Sequence, residues 1–441
     1  MATTITPTIV NVNTQVTTAP SVSQLQQSGA IVSAGGTTLS ANGYQYCSNL
    51  SAVQALLPAP ATITSLAWAA SLVTVTTAGV LSLGVGETFL TTISGATPAA
   101  YNGTYVATVT STDTFTYALA SNPGTETVPG TYTIPGSAFV SNAAQTFFAQ
   151  GSAVGLYVLE LGEQATWTAA VTALGTFITN DSTSPQLFYS YLIDSAWDTS
   201  DSAGLQTMTA NHDSPSGQTY FFINTTSAHV SAYANNKAVF AIVPSPTAAI
   251  TEVQGAAPFY QWTVNNPGPA NALAPMAFRY LFGVTPWAQQ GNTSTINTVL
   301  TAYGNLILTG AEGGISTATL FKGTTMDGEQ AAFWYGVDYF RIQVKQALAE
   351  AIIVGSNSNP PLLYNQAGIN TLLAVAQQIA SNAVAYGCAS AIEVTAVPFF
   401  TYTQQQPNDY ANGIYNGLSA TFTGQSGFLT ITFNLDAVAF A

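Results

Sequence analysis

Residues able to do chemistry are few and scattered in this chain of 441 residues. His212 and His229 are the two histidines, and neither has a second ligand at metal spacing. Cys47 and Cys388 lie far apart and are read as two buried thiols, so no zinc site is assigned. His212-Asp213 could form half of a catalytic triad, but no Gly-x-Ser-x-Gly turn supplies the nucleophile, and a surface-loop histidine is expected. Asp194, Asp198 and Asp201 surround Trp197, a set that could grip sugar or act as paired carboxylates. A strand ending in an Asp/Ser/Gly turn is the simpler reading. Asp198-x-Ser200-x-Ser202-x-Gly204 lacks the closing bidentate Glu of a calcium loop. Gly310-Ala311-Glu312-Gly313-Gly314, ahead of Phe321-Lys322-Gly323, lacks the spacing of a phosphate loop and reads as a turn. No catalytic residue, metal ligand or cofactor follows from these residues.

Charge is more informative. Lys237, Arg279, Lys322, Arg341 and Lys345 are the five cations, against 19 acidic residues and a net charge of −14. Charged types make up 5% of the chain, where about a quarter is usual. No cluster of cations could track phosphates, which excludes nucleic acid as a partner. Charge also keeps protein surfaces from sticking to their copies, so a chain this poor in it suits self-assembly. One pattern stands apart. Asp338, Arg341 and Lys345 fall at i, i+3 and i+7 on one helical face. This face is read as solvated with an Asp338–Arg341 pair, or as a docking point for an acidic partner.

The elements that must position these residues are read from periodicity. Val10, Val12 and Val16 alternate with polar residues in an extended arm over 1–20, and Leu429, Ile431, Phe433 and Leu435 do the same in a terminal strand. Neither strand has an obvious hairpin partner. Between Pro58 and Pro135 the chain is rich in Thr, Val, Gly and Tyr. Strands over 72–77, 87–93, 103–109, 113–119 and 130–134 predict a small all-β module there. Alternating strands and helices over 154–243 predict a sheet with packed helices. Helices follow at 328–353, with a stripe of Phe333, Val337, Phe340, Val344, Leu348 and Ala351, and at 365–387, ending at Gly387. Strands over 392–397 and 427–435 complete an α+β unit. The expected division is an arm (1–20), the start of a core (21–59), an inserted β domain (60–135), a middle α/β domain (136–300), a C-terminal α+β domain (301–427) and a terminal strand (428–441). The start, Met1-Ala2-Thr3-Thr4-Ile5-Thr6-Pro7, lacks a basic and apolar leader pattern, and 63–85 reads as strands rather than a membrane span. Folding in a cytoplasm without membrane insertion is expected.

The order Asn297-Thr298-Val299-Leu300, Tyr303-Gly304-Asn305, Lys322-Gly323, Met326-Asp327-Gly328, two long helices, Ala385-Tyr386-Gly387 and 408–413 resembles the C-terminal domain of contractile-tail sheath proteins of myovirus-type bacteriophages. Gln27-Ser28-Gly29-Ala30-Ile31 and Ala34-Gly35-Gly36-Thr37-Thr38 are similar to the start of a divergent sheath-like family, and 60–135 resembles β domains that decorate phage structural proteins. The resemblance implies a mixed α+β multidomain fold, a sheath-like core of sheets flanked by helices with an inserted β domain and extended arms. It also implies a non-enzymatic virion subunit, assembled in the host cytoplasm into stacked hexameric rings around a tail tube. Its partners are then its own copies, the tube protein, and the baseplate and tail terminator proteins. The arms at Val10, Val12, Val16, Leu429, Ile431, Phe433 and Leu435 are expected to add strands to neighbouring copies, and the Asp338, Arg341 and Lys345 helix to touch the tube. Alternative readings are a surface adhesin or S-layer-like protein and, more distantly, a glycan-degrading enzyme using the acids near Trp197.

Overall fold

A computed structural model describes residues 25–181, 186–310 and 316–429. Val10, Val12 and Val16 of the expected arm, and Ile431, Phe433 and Leu435 of the expected terminal strand, lie outside the described residues.

Strands β1 (Gly29–Ser33) and β2 (Gly43–Cys47) precede a short helix, α1 (Leu50–Gln54). Six strands follow: β3 (Ala61–Ala69), β4 (Leu72–Thr77), β5 (Thr88–Ser94), β6 (Gly103–Ser111), β7 (Thr114–Ala118) and β8 (Thr131–Tyr132). The chain then alternates through α2 (Ser137–Ala149), β9 (Leu156–Glu160), α3 (Trp167–Asp181), β10 (Ser190–Ile193), α4 (Ser195–Ala210), β11 (Tyr220–Asn224) and β12 (Val239–Ile242). Helices α5 (Ala256–Thr263) and α6 (Thr293–Thr301) lead to the hairpin β13 (Leu306–Thr309) and β14 (Ala318–Phe321). Last come α7 (Ala331–Ser356), α8 (Gln366–Ala385), β15 (Ala389–Ala396), α9 (Phe399–Gln405), α10 (Pro407–Ala411) and β16 (Leu418–Gly424).

The central sheet has the order β12-β11-β10-β1-β9-β2, parallel except for β2 at one edge. Its parallel strands are apolar on both faces, as parallel strands covered by helices must be. Alternation divides them between two cores. Ala30, Val32, Tyr191, Ile193, Phe221 and Ile223 pack with Trp167, Leu174 and Leu205 of α3 and α4. Ile31, Leu192 and Phe222 pack with Phe139, Phe147, Phe259 and Trp262 of α2 and α5.

Strands β3 to β8 close into a barrel in the order β3-β4-β7-β6-β5-β8. Val73, Val75, Phe89, Phe115 and Tyr132 fill it, with the Phe89 and Phe115 rings 5.3 Å apart. Periodicity reads β4 residue for residue but not β3 as a distinct strand. The barrel is seated on the body. The Trp167 indole donates to the Thr88 carbonyl at 2.8 Å, and the Gly84 amide to Ala165 at 2.7 Å.

The C-terminal part departs from expectation in two places. Among the described residues β15 pairs with β16, a strand the sequence reading did not assign, and residues 430–435 of the expected strand 427–435 lie outside the described residues. Gln330 holds both the amide and the carbonyl of Gly427, and Leu429 is 41% exposed outside any strand. Leu-Ser-Ala-Thr-Phe-Thr-Gly gives β16 only two large apolar residues, so the stronger alternation downstream dominates the sequence signal. In α7 the deepest face is Tyr335, Asp338, Tyr339 and Ile342. The expected apolar stripe lies to one side, where Phe333 and Phe340 meet the Phe422 ring at 6.0 and 6.3 Å. Tyr335 and Asp338 took the deep face because both found partners there. Gly336 lets α7 reach β15, since a Cβ there would stand 2.4 Å from the Cys388 carbonyl oxygen. Gly387 ends α8 at φ +73°, as its position implies.

Candidate functional site

Asp338 is fully buried, which corrects its expected place on a solvated face. Its Oδ2 accepts from the Tyr189 hydroxyl at 2.9 Å and the Tyr220 hydroxyl at 2.8 Å, joining α7 to the central sheet. Oδ1 has no hydrogen-bond partner and faces Arg341 Nη1 at 3.5 Å. Burial pushes the carboxyl up to about 6, against the pull of Lys237, the two hydroxyls and Arg341. Arg341 itself reaches across to the loop before β11, donating to the carbonyls of Pro215 and Ser216 at 2.8 Å each.

The other cations follow the same pattern. Lys237 is buried, donates to the Gly217 carbonyl at 2.8 Å and lies 4.4 Å over the Trp334 ring. Arg279 spreads over the carbonyls of Gln261, Ala274 and Pro275 and the side chains of Gln261 and Asn265. Lys322 donates to the Leu300 carbonyl. Four cations are therefore committed to the molecule's own carbonyl groups, and Lys345 alone is exposed among them. The expected basic face shrinks to one lysine.

The acids suspected of catalysis are structural. Asp194 caps α4 by accepting from the Ala196 amide at 3.0 Å, and burial of its carboxyl raises it to about 6. Asp201 sits at a kink of α4 and accepts from the Gly204 amide at 2.9 Å. Asp198 is fully buried and accepts from Tyr233 (2.5 Å), Thr225 (2.8 Å) and His229 Nδ1 (3.2 Å). The region is a helix, not the turn its composition predicts. His212 is part-buried against Phe221 at 5.4 Å, and burial lowers its pKa. Cys47 and Cys388 are free and buried, their thiols raised by burial to about 11 and about 12. Among the described residues no group of three or more His, Cys, Asp or Glu could hold a metal. No described helix is long and apolar enough to cross a membrane.

The strand order β9-β1-β10-β11-β12 is that of a flavodoxin-like sheet, whose ligand crevice lies past the carboxyl ends flanking β1. Here those donors are taken. Glu160, buried at the end of β9, accepts from the Gly35 amide (2.6 Å), the Thr37 amide (3.0 Å), the Thr37 hydroxyl (2.8 Å) and the Gly162 amide (2.8 Å). The chain's own carboxylate occupies the position an anionic ligand would take. Barrel residues Thr88, Phe89, Leu90 and Val106 wall the neighbouring cavity beside Asp194. Sequence reasoning missed Glu160, for which the only signal is a Glu closing an apolar strand two residues before Gly162.

What the surface offers instead is backbone and apolar area. β15 and β16 form a sheet of only two strands, so each has an unpaired outer edge among the described residues. At the far end of the same unit, Ile353 is 65% exposed, Phe400 69%, and Ile352, Val354, Leu363 and Ile414 are exposed beside them. The Tyr364 ring packs against Phe399 and Tyr410, tying that apolar end together.

The whole described architecture has a counterpart. A chain in the cryo-EM structure of the anti-feeding prophage baseplate, 6-fold symmetrised, superposes at a TM-score of 0.58 over 98% of this chain and 100% of its own. The fold is that of this baseplate chain. Sequence identity is 13%. A chain of the same baseplate in the contracted state aligns at 0.49 and 12% identity, covering 98% and 99% of the two chains. The sheath tail protein Lin1278 of Listeria innocua aligns at 0.41 and 11%, covering 84% and 88%. No family model and no curated protein matches the sequence.

Proposed function

We propose that the chain is a sheath subunit of a contractile tail, a non-enzymatic virion protein that stacks as hexameric rings around a tail tube and shortens to drive that tube through the host envelope. The end-to-end fold match to a baseplate chain carries this reading. The scarcity of charge and the outer edges of the β15–β16 sheet, unpaired among the described residues, support it, because both favour addition of further copies. In this reading the arms 1–20 and 428–441 add strands to neighbouring sheets, the tube, baseplate and tail terminator are the other partners, and the tail is where the protein resides. The barrel at β3–β8 is an outer decoration. One strand addition is weak: about five to eight main-chain hydrogen bonds at roughly 0.5–1.5 kcal/mol each oppose roughly 1–2 kcal/mol per ordered residue. Repetition around and along a tail makes it firm.

Electron microscopy of the purified protein tests the proposal. Sixfold rings or tubes are expected; monomers at high concentration, or flat two-dimensional sheets, would instead favour a surface-layer protein and overturn it.

A further inference from the structure

Three neighbouring parallel strands end on one cavity. Asp194 follows the last residue of β10, Asn224 is the last residue of β11, and Pro244 lies just past β12. All three line a cavity of about 330 Å³ between the central sheet and the barrel. The carboxyl ends of parallel strands are where open α/β sheets bind their ligands. Apolar side chains make much of the remaining wall: Leu90 and Val106 of the barrel, Phe139 of α2, and Ile250 and Val253 after β12. The two walls are already held together, because Trp167 donates to Thr88 and Ser200 to Glu87, each at 2.8 Å.

Polar groups in this cavity are incompletely used. Asn224 is 4% exposed, and its Oδ1 is fixed by the Gly255 amide at 2.7 Å. No acceptor among the described residues takes its Nδ2, which is not sealed from solvent. Asp194 gives Oδ1 to the Ala196 amide at 3.0 Å, with the Ser195 hydroxyl beside the carboxyl. Glu252, the other charged lining residue, is occupied by the Thr285 amide and hydroxyl and by the Gln254 side chain. What faces a ligand is therefore a donor, Asn224 Nδ2, and an acceptor, Asp194 Oδ2, beside apolar walls. Two carboxylates and no lining cation turn away an anion. An ammonium group would satisfy Asp194 but has no acceptor to offer Asn224. A carboxamide offers both, a carbonyl for the amide donor and an N–H for the carboxylate. The volume and the apolar wall suit a body the size of one ring.

We propose that this cavity binds a small uncharged molecule with a carboxamide edge and a ring-sized apolar body, its carbonyl accepting from Asn224 Nδ2 and its N–H donating to Asp194 Oδ2. Such a molecule touches the barrel and the sheet at once. The site is separate from the assembly reading and does not depend on it.

Benzamide is the probe, titrated by ligand-observed NMR against full-length protein dilute enough to be monomeric. Saturable binding with a dissociation constant on the order of 1 mM is expected for a single-ring ligand. Benzoate and benzylamine carry the same ring with a charged head and should bind about tenfold more weakly or worse. Asp194→Asn keeps the helix cap but turns the acceptor facing the cavity into a donor, and should weaken benzamide about tenfold. Val106→Trp, at a position 56% exposed on the barrel, fills the cavity without entering a core and should abolish binding at an unchanged melting temperature. Benzamide that fails to saturate by about 20 mM would overturn the proposal. Tighter binding of benzylamine would overturn it in favour of a cation site. Binding that survives Val106→Trp would place the ligand elsewhere, and equal binding to Asp194→Asn would remove the carboxamide edge; either result also overturns it.

Discussion

Two buried carboxylates show how single residues hold this molecule. Glu160 accepts from four donors at once, three of them backbone amides. Glu160→Ala should cost about 3 kcal/mol or more, since each donor left buried and unpaired carries a penalty of roughly 1 kcal/mol or above. Glu160→Gln, keeping one oxygen, should cost about half; calorimetric melting compares them. Asp338 is a different case. Its pKa is raised to about 6 from an ordinary carboxylate value near 3.8, so the folded state binds the proton more tightly than the unfolded chain does. Its contribution to stability therefore grows as pH falls through 6 and is complete only near the unfolded value. Between pH 7.5 and pH 5 it should add about 1 kcal/mol of stability. Asp338→Asn should remove that part of the slope, while the slope due to Asp194, raised for the same reason, persists. An unchanged pH dependence of melting in Asp338→Asn would show that the carboxyl stays ionised across this range.

At the scale of elements, the barrel is closed and fills its own interior, but it is not an appendage on a free tether. Trp167, 1% exposed, hydrogen-bonds to Thr88, and the Ser200 hydroxyl donates to Glu87 at 2.8 Å. Replacing 62–133 by a short Gly/Ser bridge should therefore leave a folded, assembling protein with a red-shifted tryptophan emission and a melting temperature lower by several degrees. Collapse of the whole fold would place the barrel within the core. The elements themselves were legible where local pattern and tertiary environment agree. The runs at Leu72–Thr77 and Tyr220–Asn224 are apolar enough to be read directly, and α8 keeps Ile369, Ala376 and Ala383 inward as its period requires. Legibility failed where burial is achieved by pairing. α7 turns Asp338 and Tyr335 inward because Tyr189, Tyr220 and Asn265 wait for them, and nothing within α7 records those partners. It failed again at β16, whose pairing with β15 depends on Phe422 meeting two rings of α7 rather than on its own alternation. The candidate site was the least legible part, because its cations are read by type while their use is set by carbonyls distant in sequence.

For the whole molecule, the proposed function turns on contacts between copies and with a tube, and the structure decides which substitutions can probe them cleanly. Replacing Ile431 and Phe433 by Asp should leave a soluble, folded subunit that does not polymerise, if the terminal segment joins neighbours; normal tubes from that variant would remove the segment from the assembly. The tube contact needs more care. Arg341 is unsuited to the test, because Arg341→Glu would strip the 215–216 carbonyls of their donor and set a second carboxylate beside Asp338. Lys345 is exposed on the same helix and can be reversed with little effect on stability, within about 0.5 kcal/mol for a surface site. A single exposed ion pair is worth under about 1 kcal/mol, which suits a contact that must release, and ring symmetry would multiply it. Lys345→Glu should therefore polymerise normally alone yet decorate purified tube poorly at low salt, with a weaker dependence on added salt than the wild type. If the reversed protein decorates tube as well as the wild type does, the tube must be held by another surface, and the exposed apolar end around Ile353 and Phe400 becomes the next place to substitute.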